Sequence, residues 1–213
     1  MALTLYSDGF SISPYAFSAF VALEEKGVPY TLAEVPLQDK AHQQPAYREL
    51  SVTGRVPAID HDGFHLAESS AIVEYLEETF PAPQYRLALP EGPRERGRAR
   101  MVMAWIRSDL MPLREERATH TMFFPRPQPP LSAAGQAAAA RLIEVASRLV
   151  PDGATALVGA WSIADSDLAF MLQRLGLNGH DLPAKLRRFV DAQWARPSVQ
   201  KWVALARPPY IPY

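Results

Sequence analysis

Arg55-Val56-Pro57-Ala58-Ile59-Asp60-His61-Asp62-Gly63-Phe64-His65-Leu66-Ala67-Glu68-Ser69-Ser70 is the stretch whose reading decides the fold. Val56 to Asp60 is β-prone, Asp62-Gly63 is a tight-turn dipeptide, and Phe64 to Leu66 supplies a partner strand, so the segment predicts a hairpin. Glu68-Ser69-Ser70 then opens an apolar-periodic run, with Ile72, Val73, Leu76 and Phe80 on one face of a helix over 69–80. A proline opening a strand, joined by a hairpin to an acid and two hydroxyls at a helix N-terminus, predicts a pocket for a small, amino-acid-like ligand.

Upstream, Leu3 to Tyr6 reads as a strand broken by Ser7, Asp8, Gly9 and Ser11. From Pro14, the residues Phe17, Phe20 and Val21 fall at helical spacing, and Gly27 stands where a C-terminal cap belongs. Tyr30 to Val35 reads as a second strand. Residues 36–51 are polar and irregular apart from a short helix at Pro45 to Leu50. The order βαβ then ββα predicts a thioredoxin-like α/β domain over 1–81. Pro81-Ala82-Pro83 and Pro90 to Pro93 mark a linker over 82–93. Beyond it, helical patterns at about 95–118, 132–150, 163–176, 183–194 and 198–206 predict an all-α bundle over 94–213. The proline-rich Phe124 to Pro130 reads as a rigid loop between the first two of these helices.

Composition narrows the function. Among 213 residues, 22 basic side chains face 23 acidic ones for a net charge of -1, so no global field favours nucleic acid or an anionic membrane. The N-terminus lacks the pattern of a signal peptide and no apolar run approaches the ~20 residues of a membrane span. The expectation is a cytoplasmic protein with neither a nucleic-acid nor a membrane partner. There are no cysteines. Disulfides, thiolate metal sites and protein-thiol mechanisms are therefore excluded, and any sulfur chemistry must come from a bound thiol.

Ser13-Pro14 opening the first helix, Val56-Pro57, Glu68-Ser69 and Ser162-Ile163-Ala164-Asp165, in this order and spacing, resemble the glutathione transferase family over the whole chain. Ala104 to Pro112 with Arg114 to Arg117 is similar to its bacterial YfcF-type branch, whose members are associated with glutathione-dependent transferase and peroxidase activity. The resemblance implies the glutathione transferase fold, a homodimer, glutathione as cosubstrate with no metal, and a small hydrophobic electrophile or hydroperoxide as second substrate, held between the domains. The same fold without turnover, as a glutathione- or ligand-binding protein, is the alternative.

Residue by residue, the resemblance implies a cis Val56-Pro57 bond that leaves the Val56 backbone facing outward, to pair with the cysteinyl unit of glutathione. Glu68 and Ser69 would hold the γ-glutamyl ammonium and carboxylate, although an acid and two serines at a helix start also serve as plain capping. His42 and Arg55 would hold the glycyl carboxylate. Ser13 is an ordinary N-cap followed by proline at N1, and the resemblance adds that its hydroxyl donates to the glutathione sulfur and favours the thiolate. Ser11 is the second choice, ahead of Tyr6 and Tyr15. Asp165 is expected to cap a buried helix, a folding role and not a chemical one. Trp105, Arg107, Asp109 and Arg114 are expected at the second substrate or at a subunit contact, while Arg94 to Arg100 reads as a solvated, ion-paired helix face.

Overall fold

The computed structural model describes residues 2–212; Met1 and Tyr213 lie outside the described residues. Two compact units divide between Ala88 and Leu89, and the segment from Lys201 onward packs with the first. In the first unit, β1 (Leu3–Asp8), α1 (Pro14–Lys26), β2 (Thr31–Val35), α2 (Pro45–Leu50), β3 (Ala58–His61), β4 (Phe64–Ala67) and α3 (Ser69–Thr79) follow in chain order. The sheet runs β2-β1-β3-β4, with β1 parallel to β2 and antiparallel to β3, and β3 antiparallel to β4. That is the thioredoxin-like arrangement expected from the sequence.

β1 is longer than its Leu3 to Tyr6 prediction because Ser7 and Asp8 still pair with Glu34 and Val35 of β2. The hairpin turns at Asp62 and Gly63, both at positive φ (51° and 88°), with the Gly63 N–H donating to the Asp60 carboxylate at 2.8 Å. Helices α1 and α3 pack on each other and against β1 and β3. Phe17, Phe20, Val21, Ile72, Val73 and Leu76 are buried there with Leu3, Leu5 and Ile59. A second cluster, Val35, Tyr47, Ala58 and Ala67 with Tyr6 and Val56 against it, fills the α2 side of the sheet.

α1 starts at Ser13, whose Oγ accepts the Ala16 N–H at 3.2 Å, and ends at Gly27 (φ 74°), whose N–H donates to the Leu23 and Glu24 carbonyls. The last residue of the helix, Lys26, is buried and meets buried Glu77 of α3 at 3.0 Å. Lys26 also donates to the Arg86 carbonyl, while Glu77 accepts the Ala88 N–H, so both charges are hydrogen-bonded as burial requires.

The second unit holds α4 (Pro93–Ser108), α5 (Met111–Glu116), α6 (His120–Phe123), α7 (Ala133–Leu149), α8 (Ile163–Gly176) and α9 (Ala184–Trp194), and α10 (Pro197–Val203) carries the chain back to the first. The single helix predicted over 95–118 is broken at Asp109-Leu110. Pro112 has no N–H to donate and its ring excludes a helical carbonyl four residues back, so α4 stops at Ser108 and Leu110 takes φ 65°. α8 is buried along nearly its whole length. Its Asp165 is fully buried and accepts the Leu157 and Ser162 N–H groups at 2.6 and 2.7 Å and the Ser162 hydroxyl at 3.0 Å, the capping role expected. No helix among the described residues is long and apolar enough to cross a membrane.

Candidate functional site

Strand register gathers the predicted site segments of the first unit at one end of its sheet. Tyr6 pairs with Ala58, and Ala58 with Ala67, so Val56-Pro57 before β3 and Glu68 after β4 leave the sheet side by side. β1 runs on past that pairing and emerges at Asp8, level with Val35 of the parallel β2. The loop carrying Ser11 and Ser13 and the segment carrying His42 therefore leave from this same end.

The loop from Asp8 to Ser13 is built on one buried carboxylate. Asp8, fully buried, accepts the Ile12 N–H at 2.9 Å, the Ser13 N–H at 3.0 Å and the Ser7 hydroxyl at 3.3 Å. Ser11 lies between these anchors at φ 48°, its N–H donating to the Asp8 carbonyl at 3.0 Å. A serine there carries backbone strain that its surroundings must hold. Among the described residues Ser13 Oγ is used as an acceptor in capping α1, which leaves its hydroxyl proton to donate outward from the half-buried N-terminal turn.

The Val56-Pro57 bond is cis, as is Ala82-Pro83, which the sequence did not suggest. Val56 precedes the ladder residues of β3, which begin at Ala58, so its backbone stands outside the sheet pairing. The carbonyl of Arg55 accepts from the Tyr47 hydroxyl at 3.0 Å and from Ser51 Oγ at 2.9 Å, which fixes the backbone leading into Val56. Burial holds the Tyr47 hydroxyl well above the ordinary tyrosine pKa, so it stays a neutral donor. The side chain of Arg55 is exposed. His42, half-buried in the single turn Ala41–Gln43, has a buried Nδ1 with no hydrogen-bond partner among the described residues.

Glu68 is the N-cap of α3 at φ 72°, ψ 115°, an unusual conformation for a residue with a side chain. Its carboxylate is exposed and caps nothing, so the plain capping reading fails for this residue. Beside it Ser69 is buried in the first turn of α3. An acid aimed outward at a helix N-terminus can take a ligand bearing both a cation and an anion.

The four residues predicted in the helical unit have partners within it. Trp105 Nε1 and Arg141 Nε both donate to Asp109 Oδ2, at 3.0 and 2.8 Å, and Asp109 Oδ1 accepts the Leu110 N–H at the helix break. Arg107 pairs with buried Asp167 at 2.9 Å, and Arg114 donates to the Arg107 carbonyl at 2.8 Å. Hydrogen bonds from Arg141 and Trp105 hold the Asp109 carboxyl below its ordinary pKa. These contacts brace the α4–α5 break. The proline-rich connection, with Arg117, Asn178 and His180, surrounds a cavity of about 390 Å³. Its Pro129 carbonyl accepts from Arg117, which anchors the loop. A groove of about 360 Å³ opens beside Tyr6, Glu34, Gln44 and Tyr47 in the first unit. Among the described residues no group of His, Asp or Glu is arranged to hold a metal ion.

Asp8 was missed at the sequence level, where it read as a strand breaker; an acid five residues before an N-cap serine was the local signal available. Arg207, which donates to the Ser11 carbonyl at 3.1 Å, had no local signal at all, being 196 residues away.

Residues 12–79 match the family model described as glutathione S-transferase, N-terminal domain, and residues 93–207 the one described as glutathione S-transferase, C-terminal domain. The maleylacetoacetate isomerase of Pseudomonas aeruginosa is 40% identical over 104 residues, 47% of this chain and 48% of that protein. The rat enzyme of the same name is 37% identical over 95 residues, 44% of this chain and 43% of that protein. The chain thus matches about half the length of these curated relatives. A glutathione transferase homologue from Burkholderia, solved with bound glutathione, is 43% identical with a TM-score of 0.78, covering 95% of this chain and 96% of that one.

Proposed function

The chain belongs to the glutathione S-transferase family, and from that premise we propose that it binds glutathione at the end of the first unit's sheet and stabilises the thiolate with Ser13. The observation that carries this reading is Glu68: an exposed carboxylate, held in a strained backbone, that caps nothing. In this reading Glu68 pairs with the γ-glutamyl ammonium, and Ser69 with the α3 N-terminus takes the neighbouring carboxylate. The Val56 backbone pairs with the cysteinyl unit as an added strand, and His42 and Arg55 receive the glycyl carboxylate. The Burkholderia homologue solved with glutathione supports the ligand class.

Ser13 then donates its hydroxyl proton to the sulfur, favouring the thiolate over the thiol. Against an alkyl or aryl electrophile, sulfur forms the new carbon–sulfur bond and the leaving group departs with the electron pair. Against an organic hydroperoxide, sulfur takes the terminal oxygen and the alcohol leaves. A second glutathione closes the disulfide with loss of water. We place the chain in the YfcF-type branch on residues 104–117, and in a homodimer on the habit of that family. Trp105, Arg107, Asp109 and Arg114 enter this reading through the helix break they brace.

A second reading is favoured by the identity to maleylacetoacetate isomerases: the thiolate adds to a conjugated double bond, permits rotation about the resulting single bond, and leaves again. The test is a screen with glutathione and three second substrates: a chlorodinitrobenzene, cumene hydroperoxide and a cis-enedioic keto acid. Thioether formation or peroxide-driven glutathione oxidation supports the first reading, and isomerisation with no glutathione consumed supports the second. Glutathione binding without turnover of any of the three would leave a binding protein, and absence of binding would overturn the proposal.

A further inference from the structure

The C-terminal segment meets the loop of the candidate thiol site through the Arg207 guanidinium and the Tyr210 ring. Arg207 Nη1 donates to the Val203 and Leu205 carbonyls at 2.9 and 2.8 Å, and Nη2 to the Trp202 carbonyl at 2.9 Å and the Ser11 carbonyl at 3.1 Å. Three of these acceptors close the end of α10; the fourth belongs to the serine loop. The segment itself is docked firmly. Trp202 is fully buried, edge-on to Phe17 and Phe20 of α1 with ring centroids 5.9 and 5.2 Å apart. Lys201 pairs with Glu24 at 2.5 Å, and Tyr210 packs on buried Phe10 at 5.3 Å.

We propose that Arg207 is a positioning residue for the thiol site, holding the Asp8–Ser13 loop in the shape that presents Ser13 by donating to the Ser11 carbonyl; this rests on the reading of that loop given above. Ser11 is the strained member of the loop, at φ 48°. Its N–H is taken by the Asp8 carbonyl from within and its C=O by Arg207 from without, so the strained residue is gripped on both sides. Ile12 and Ser13 follow directly, bonded to the Asp8 carboxylate. Arg207 and Asp8 also sense each other's charge: burial lowers the guanidinium pKa and the Asp8 charge opposes that change. A planar fork spanning four carbonyls is a geometry that lysine cannot reproduce.

The test follows the thiolate absorbance of bound glutathione against pH in the full-length protein, for wild type, Arg207→Gln, Arg207→Lys, Ser13→Ala and Lys201→Met. Lys201→Met removes the ion pair that ties the same segment to α1 without touching the loop. Arg207→Gln is expected to raise the titration midpoint by roughly half a unit to one unit and to lower kcat near neutral pH several-fold, with glutathione affinity nearly unchanged. Arg207→Lys, which keeps the charge, is expected to recover only part of the shift and serves alone if the glutamine variant does not fold. Lys201→Met is expected to titrate as wild type. A folded Arg207 variant that titrates as wild type while Ser13→Ala is shifted overturns the proposal and leaves the serine reading standing. A shift in Arg207→Gln with none in Ser13→Ala supports Arg207 and moves the sulfur contact to another donor of the loop. No shift in either overturns both, and equal shifts in Arg207→Gln and Lys201→Met overturn the positioning role in favour of general loosening.

Discussion

The fully buried Asp8 carboxylate accepts the Ser13 N–H at 3.0 Å, so the end of β1 fixes the start of α1. Ser13 is thereby placed by a strand residue and not by its own helix alone. Asp8→Ala would leave the buried Ile12 N–H and the Ser13 N–H without their acceptor. Each orphaned donor costs about 1–3 kcal/mol, so a stability loss of roughly 2–6 kcal/mol is expected. Urea denaturation measures it, and an unchanged midpoint would show that the loop is held without this carboxylate.

Glu68 is expected to trade stability for binding. Replacing it with glycine removes the conformational penalty at φ 72° and should raise stability by about 1 kcal/mol. The same change should weaken glutathione binding by about 1.5–3 kcal/mol, roughly ten- to over a hundredfold in Kd, through loss of a charge-assisted bond. Calorimetry and thermal melts on one preparation report both quantities. Equal glutathione affinity in wild type and Glu68→Gly would remove Glu68 from the site.

Asp165 sets a pH dependence of folding. Burial raises its pKa from 3.8 to about 6, against the hydrogen bonds from Ser162 and Leu157, which lower it. Between those values the folded state holds a proton at this carboxyl that the unfolded chain has released. Its stabilising contribution is therefore complete below pH 3.8 and is lost as pH rises through about 6. The span corresponds to on the order of 3 kcal/mol. Stability of wild type relative to Asp165→Asn should fall across that window, with glutathione affinity per folded molecule unchanged. A flat difference would contradict the raised pKa.

Local chemistry was legible in the sequence, and distant packing was not. The Ser13-Pro14 start and Gly27 end of α1, the Asp62-Gly63 turn and the Ser162–Asp165 cap are each set by neighbours within a few residues. The break between α4 and α5 was missed although Pro112 stood in plain view. Leu110, Met111 and Leu113 keep apolar residues coming through the break, and the proline acts on the turn before itself. That Glu68 would point outward without capping depends on a backbone angle no motif encodes. The placement of Arg207 on Ser11 depends on the return of the C-terminal segment, whose helical pattern does not say which distant residues it meets.

In a chain with no cysteine of its own, Ser13 is proposed to favour the thiolate of a borrowed thiol. The most direct measurement is the thiolate absorbance of glutathione bound at saturation, followed against pH for wild type, Ser13→Ala and Ser11→Ala. Ser13→Ala is expected to shift the titration upward by about one unit, slowing turnover near neutral pH and less so at higher pH, with Ser11→Ala close to wild type. Overlapping curves for wild type and Ser13→Ala would contradict the account, and a shift confined to Ser11→Ala would transfer the role to Ser11.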